Sequence, residues 1–317
     1  MLAEKLGTLA VALIVDQAFG EPPPALHPVV WIGRLVAVFE RHLPSGSGAR
    51  SLVFGSAAVA ITLAATTALS TTMKRVLGGR AGVAWLLLSG VFLKPTFAVR
   101  ELFAAGERVQ RGLEAGDLAT ARAALRSLVS RDVDVLDAPL IAAAAVESLA
   151  ENASDSIVAP CLAYLVAGMP GAYLYRAANT LDAMIGYRGD YEFFGKPAAR
   201  LDDVLNLIPS RVTAALIALG AMVGARDWRG AVAIAWRDHR KTASPNAGWP
   251  MSALAGALGV QLEKLDHYRL GDATRPVAPA DIAVARRIIT CGLTLGLATL
   301  ASLACWGAGA RRMRGDA

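Results

Sequence analysis

Charge is scarce in this chain. Asp, Glu, Lys and Arg make up 18% of its 317 residues against 55% apolar side chains, and the mean hydropathy is +0.44. That balance lies outside the usual soluble range and favours a membrane class. Cysteine is nearly as sparse: Cys161, Cys291 and Cys305 sit inside apolar stretches at no paired spacing. This excludes a disulfide frame or a zinc site and predicts small buried hydrophobes. A basic stripe interleaved with aromatics is missing too. The net charge is +6, and basic residues gather beside apolar runs, as at Lys74, Arg75 and Arg80, at Arg286 and Arg287, and at Arg311, Arg312 and Arg314. Such placement is that of membrane-flanking charge, so a lipid bilayer is expected as partner and nucleic acid is not. Also absent are a GxxxxGK(S/T) phosphate loop, a strand-placed GxGxxG, an HExxH motif and a defensible Ser/His/Asp pattern. With neither internal repeat nor low-complexity linker, residues 1–317 read as a single membrane domain.

What is present is apolar helix. Ser51–Met73 and Ile288–Ala310 each run 23 residues without a charge, enough at about 1.5 Å per residue to cross roughly 30 Å of hydrocarbon. The second carries Gly292 and Gly296 at a spacing that lets helix backbones approach. Three more segments are apolar but interrupted: 81–99 by Lys94, 138–169 by a polar middle, and 205–224 by Arg211. With the N-terminal run Leu6–Val15, which lacks a clean cleavage site and is expected to be retained, these line a cavity or lie partly in the interface. The expected class is all-α, a polytopic membrane protein with about four to six transmembrane helices. Residues 101–137 hold a dozen charged side chains and helical apolar spacing through Leu118, Leu125 and Leu128. Gly116 and Asp117 stand as stop and cap of a water-exposed helical hairpin. Residues 186–204 and 225–286 are likewise too charged for lipid.

Four groups of residues carry candidate chemistry. Glu147, Glu151 and Asp155 recur every four residues, with Asn152 and Ser154 between, and climb one helix face with about 40° of drift per step. Like charges stacked among apolar neighbours repel and are costly to desolvate, so a cation should compensate. One reading is Mg²⁺ holding a phosphate-bearing substrate; the other is a helix face paired with arginines. Near the N-terminus, Asp16, Gly20, Glu21, Pro22 and Pro23 precede His27, Pro28, Trp31 and Arg34. The prolines forbid a regular helix until Pro28 opens one behind His27, and His27 and Arg34 serve either one ligand or as cap and headgroup contact. Arg176, Asn179 and Asp182 share one helical face, and a charged loop follows through Arg188, Asp190, Tyr191, Glu192, Lys196, Arg200, Asp202 and Asp203. Finally, His239, Arg240 and Lys241 precede Ser244, Pro245, Asn246, Gly248, Trp249 and Pro250. That turn presents Asn246 and Trp249 beside a basic cluster, suited to an anion or a flat macrocycle, or else to a membrane surface.

Taken in order, DQAFGEPPPALHPVVWIGR, VESLAENASDSIVAP, NTLDAMIGYRGDYEFFGKPAARLDDVLNLIPSR and RKTASPNAGWPMSALAGALGV resemble the cobalamin biosynthesis family CobD/CbiB, the adenosylcobinamide-phosphate synthases. Glu21 stands where relatives often carry Asp, which keeps the carboxylate. The resemblance implies a multi-pass enzyme of the bacterial cytoplasmic membrane. It would be a carbon–nitrogen ligase joining the free propionate of cobyric acid, the corrinoid being substrate and not cofactor, to aminopropanol or aminopropanol phosphate. ATP and Mg²⁺ are expected by analogy with other ligases. In that reading Glu147, Glu151 and Asp155 bind metal, and Asp182, Asp202, Asp203 and Lys241 are catalytic, with Asp202 or Asp203 as the base that frees the amine. His27, Trp31, Arg34, Lys94, Asn152, Asn179, Arg188, Ser244, Asn246 and Trp249 bind substrate. A second copy of the chain or later corrinoid-assembly enzymes would be its protein partners. A transporter should show repeat symmetry, and a non-catalytic accessory or signalling protein would need few of these buried carboxylates.

Overall fold

The structure, a computed structural model, describes residues 2–44, 48–77, 82–187, 189 and 191–313, with Leu77 and the last seven by backbone alone. Arg80, Arg188, Asp190 and Arg314 fall outside that description, as do the side chains of Arg311 and Arg312. Along the chain run α1 (Leu2–Phe19), α2 (Pro28–Arg41), α3 (Gly48–Leu77), α4 (Val83–Leu93), α5 (Val99–Glu114), α6 (Leu118–Leu125) and α7 (Ala138–Ala153). Then follow α8 (Ala159–Ile185), α9 (Lys196–Leu205), α10 (Leu207–Val223), α11 (Trp228–Asp238), α12 (Gly248–Leu258) and α13 (Pro279–Met313). The only strands among the described residues, β1 (Leu262–Lys264) and β2 (Tyr268–Leu270), pair antiparallel with Leu262 opposite Leu270. This hairpin, set in a stretch expected to be polar loop, is the one departure from an all-α fold.

Contacts gather the chain into two compact units, each discontinuous in sequence: Met1–Ala98 with Asp155–Asn206, and Val99–Ser154 with Leu207–Ala317. In the first, α8 is the spine, against which α2, α3 and α9 pack. Its core holds Ile32, Val36, Ala58, Val59, Leu181, Ile185 and Phe194. Burying a side chain of this size stabilises by about 1.5–3 kcal/mol. In the second unit α7 and α12 are central, and every residue from Ile141 to Ala150 is buried. Around them stand α5, α6, α10, α11 and α13.

Local signals explain the helix ends. Pro28 opens α2 and His27 caps it, Nδ1 accepting the Val29 N–H at 3.2 Å. Gly116, at φ +70°, and Asp117, accepting the Thr120 N–H at 2.9 Å, make the stop and cap between α5 and α6. The hairpin is therefore where the sequence puts it, but its apolar face, Leu102, Ala105, Val109 and Leu113, is buried. Within α8, Gly168 at φ +69° and Pro170 break the helix. Where α10 meets α13, Gly220 lies against Ile288 and Gly292 against Leu216, so a Cβ on either would strike backbone.

Among the described residues three helical stretches are long and apolar enough to cross a membrane, Gly48–Val76, Ala138–Ile185 and Pro279–Trp306. The number rises to five if the pairs bent by 42° between α4 and α5 and by 48° between α9 and α10 each count as one span. Along α3, Val53, Ile61, Leu69 and Val76 are exposed at intervals of about two helical turns, a stripe suited to lipid. The cysteines correct the expectation of burial: Cys161 and Cys291 are half-buried and Cys305 is exposed. A hydrophobe on a lipid-facing helix finds its apolar surroundings without burial in protein.

Candidate active site

In the first unit α1 packs on α4, which brings the last turn of one helix to the last turn of the other. The Lys94 ammonium, 3% exposed, lies 3.4 Å from Asp16 Oδ1 and 2.7 Å from Glu21 Oε1. His27 Nε2 is 2.9 Å from Glu21 Oε2. Because Nδ1 accepts the Val29 N–H, the ring proton sits on Nε2 and is donated to Glu21. Burial, the largest influence on Glu21, would raise its pKa, but the hydrogen bonds from His27 and Lys94 outweigh it and hold the carboxyl below its usual range. Charges this deep persist only when paired, and Lys94, expected to face a substrate phosphate, is committed to Asp16 and Glu21. Trp31 donates to the Ala25 carbonyl at 2.8 Å, and Arg34 is exposed on α2.

A second polar seam of this unit lies between α8 and α9. The Tyr175 hydroxyl donates to Asn206 Oδ1 at 2.8 Å, and Asn206 donates to Asp202 Oδ2 at 2.9 Å. Asn179 donates to Asp202 Oδ1 at 3.3 Å. Both oxygens of Asp202, expected as a base, thus accept amide hydrogens. Asp203 is partly exposed and lies 3.4 Å from Arg200. The Asp182 carboxylate sits against Gly186 at the end of α8. Arg176 is within electrostatic reach of Glu21, Asp155 and Tyr175, so Asp155 belongs with this seam.

Glu147 and Glu151 belong to the second unit, where they line a mostly polar cavity of about 120 Å³ with Ser130, Arg131, Ser148, Lys264 and Tyr268. Arg131 donates from Nη2 to Glu147 Oε2 at 2.8 Å; this is the compensating cation the acidic ladder requires. Glu147 is 5% exposed, and its other oxygen, Oε1, is buried with no hydrogen-bond partner. Ser148 donates to the Leu128 carbonyl, and Asn152 donates back to Ser148 at 3.0 Å. Burial first, then the Glu147 and Glu151 carboxylates, push the Tyr268 hydroxyl far up against the pull of Arg131, so it stays a donor. Among the described residues no three acidic, His or Cys side chains gather as a metal set. The residues present do not form a protein-only cage for Mg²⁺.

The turn near Trp249 is also built tightly. Asn246 is buried and accepts from Arg211 at 3.0 Å, and Ser244 Oγ accepts the Asn246 N–H at 3.2 Å. His239 stacks on Trp249 at 3.9 Å between ring centroids, and the Arg211 guanidinium lies 5.0 Å from the Trp249 centroid. The ring face expected to meet a macrocycle is in contact with the protein's own side chains. Lys241 pairs with Asp238 at 2.7 Å, and Asp238 also accepts from Arg237 and from the Gly271 N–H. Burial opposes ionisation there, yet these donors hold the carboxyl far below the usual range.

Sequence reasoning named Asp16 without giving it a partner and passed over Arg131, Lys264, Tyr268 and Asp238. For two of them a signal existed: Lys94 alone in an apolar run demands an anion, and a buried acidic ladder demands a cation.

Comparison with known proteins bears on the family. Residues 9–290 match the family model described as CobD/Cbib protein. A "Cobalamin biosynthesis protein CobD" of Dehalococcoides mccartyi (strain CBDB1) is 45% identical over 86% of this chain and 89% of its own length. One of Rhizobium meliloti (strain 1021) is 40% identical over 88% and 90%, and a "Probable cobalamin biosynthesis protein CobD" of Methanocaldococcus jannaschii is 38% identical over 83% and 87%. No solved structure matches.

Proposed function

The chain belongs to the CobD/CbiB family of cobalamin biosynthesis, and from that premise we propose that it forms the amide between the free propionate of (adenosyl)cobyric acid and aminopropanol or its phosphate. The product is cobinamide or cobinamide phosphate, made by a ligase of the cytoplasmic membrane. The observation that carries the proposal is that the matched residues 9–290 enclose buried carboxylates, amides and cations in helices apolar enough to cross a bilayer. A merely structural membrane protein has little use for groups so costly to bury.

A carboxylate is a poor electrophile and an ammonium lacks a lone pair, so the acid must be activated and the amine deprotonated. ATP, with Mg²⁺ as counter-ion of its phosphates, would supply the activation by phosphorylating the propionate, ADP leaving in that step and inorganic phosphate when the amine attacks. The chain's own residues bind and orient. Arg34, exposed on α2, offers a bidentate donor to a phosphate or carboxylate. Asp202 holds Asn179 and Asn206 in place and acts as a positioning residue.

The test uses full-length protein in detergent with adenosylcobyric acid, aminopropanol phosphate, ATP and Mg²⁺, read by mass spectrometry. The expected product is the corrinoid plus the amine minus water. No such product with either amine, while the corrinoid is bound, overturns the proposal; full turnover without nucleotide overturns the activation step alone.

A further inference from the structure

We propose that the cavity of the second unit is the amine subsite, taking a short zwitterion with an ammonium at one end and a phosphate at the other. Its lining sets two carboxylates, Glu147 and Glu151, against two cations, Arg131 and Lys264. A simple anion site would not carry the carboxylates, and a simple cation site would not carry the arginine and lysine. The carboxylates are more than an acidic cluster. Glu147 is 5% exposed, its Oε1 has no hydrogen-bond partner, and the Nε of Arg131 is also buried without one. Leaving hydrogen bonds unmade at buried charged groups is costly, a cost that a ligand bringing a donor to one end of the cavity and acceptors to the other offsets. The Tyr268 hydroxyl, kept protonated by its surroundings, adds a donor for phosphate.

Size narrows the occupant. At about 120 Å³ the cavity is below the roughly 300–1,000 Å³ of sites for drug-sized ligands, so neither a corrin ring nor a nucleotide enters it. A short amino-alcohol phosphate is the one reactant of the proposed amidation with both the charge pattern and the size. Glu151, half-buried on the lining, adds a second negative charge at the ammonium end. Only the identity of the zwitterion rests on the function proposed above; the charge pattern does not.

The experiment titrates full-length protein in detergent with (R)-1-amino-2-propanol phosphate, aminopropanol, isopropyl phosphate, Mg²⁺ alone and adenosylcobyric acid, by calorimetry. Glu151→Gln and Lys264→Ala change half-buried side chains and leave the buried Arg131–Glu147 pair intact; their melting temperatures report folding. Each should weaken the amine phosphate by about tenfold or more, the effect of one charge-assisted contact, with corrinoid affinity unchanged. Both truncated probes should bind more weakly than the amine phosphate. Unchanged amine-phosphate affinity in both folded variants, or no binding by the wild type, overturns the subsite. So does tight binding of Mg²⁺ alone that Glu151→Gln abolishes while the amine phosphate still binds. If the variants lose amine-phosphate binding but the wild type forms no amide, the subsite stands and the reaction falls. If the wild type turns over and the variants raise KM for the corrinoid instead, the reaction stands and the subsite falls.

Discussion

The Lys94 network of the first unit and the Arg131 cavity of the second both bury opposite charges among apolar helices, yet they differ in what is left over. Around Lys94 each charge meets another of the same unit: Asp16 and Glu21 share the ammonium, and His27 takes the remaining Glu21 oxygen. Both networks keep buried atoms without a hydrogen bond, but Lys94 Nζ and Glu21 Oε1 lie 2.7 Å apart as an ion pair, whereas Glu147 Oε1 belongs to a side chain that lines a cavity with Glu151 and Lys264. A closed network ties two helix ends together. A network beside a cavity has the pattern expected of a binding site, where a ligand can complete it. Burial of charge therefore does not by itself mark function; the difference lies in whether the protein supplies the last partner.

Replacing Lys94 by Met should be the most damaging way to break the comparison. Asp16, fully buried, and one oxygen of Glu21 would lose their cation, at a cost of about 3–5 kcal/mol, and thermal unfolding in detergent should show a large loss or no folded yield. Partial rescue by Asp16→Asn in the same chain would identify stranded charge as the cause. Arg131→Met should cost less, about 1–3 kcal/mol, because a single carboxylate loses its partner and Lys264, on the same cavity lining, stays within electrostatic reach of Glu147. Equal losses in the two variants would erase the distinction between closed and open networks. His27→Ala removes a helix cap and a Glu21 partner, and a loss of about 1 kcal/mol is expected. Its pH dependence has a defined sign. Glu21 is held below its ordinary value of 4.5, so its contribution is fully present above that pH and is lost as pH falls through the lower folded value. Acid unfolding of His27→Ala should accordingly begin at higher pH than in the wild type. Smallest of all is Arg200→Ala, where the side chain is 74% exposed and a change within about 0.5 kcal/mol is expected.

Much of the backbone was legible before any coordinates. The stop and cap at Gly116 and Asp117 depends on residues within one turn of each other, and so does the opening of α2 by His27 and Pro28. The close approach at Gly292 needs only a missing side chain. Residues whose meaning depends on a distant partner could not be read in the same way. The Trp249 ring looks like an open stacking surface until His239 and Arg211 are seen against it. Glu147, Glu151 and Asp155 look like one ladder on a continuous helix. A π turn at Ser154–Val158 falls where the chain passes from one unit to the other, and Asp155 keeps company with Tyr175 and Arg176. The hairpin β1–β2, which brings Lys264 and Tyr268 to the cavity, had no alternating apolar signal to announce it.

By itself the sequence determined the membrane class, the helical architecture, the principal helix boundaries and the family, since each depends on composition, on neighbours in the chain or on ordered motifs. Only the tertiary structure decided which buried charges satisfy one another and which wait for a ligand. That choice is made by side chains far apart in sequence, such as Lys94 with Asp16 and Arg131 with Glu147. The free energy of a charge in a low-dielectric interior depends on the few ångströms around it, and no local pattern encodes that distance.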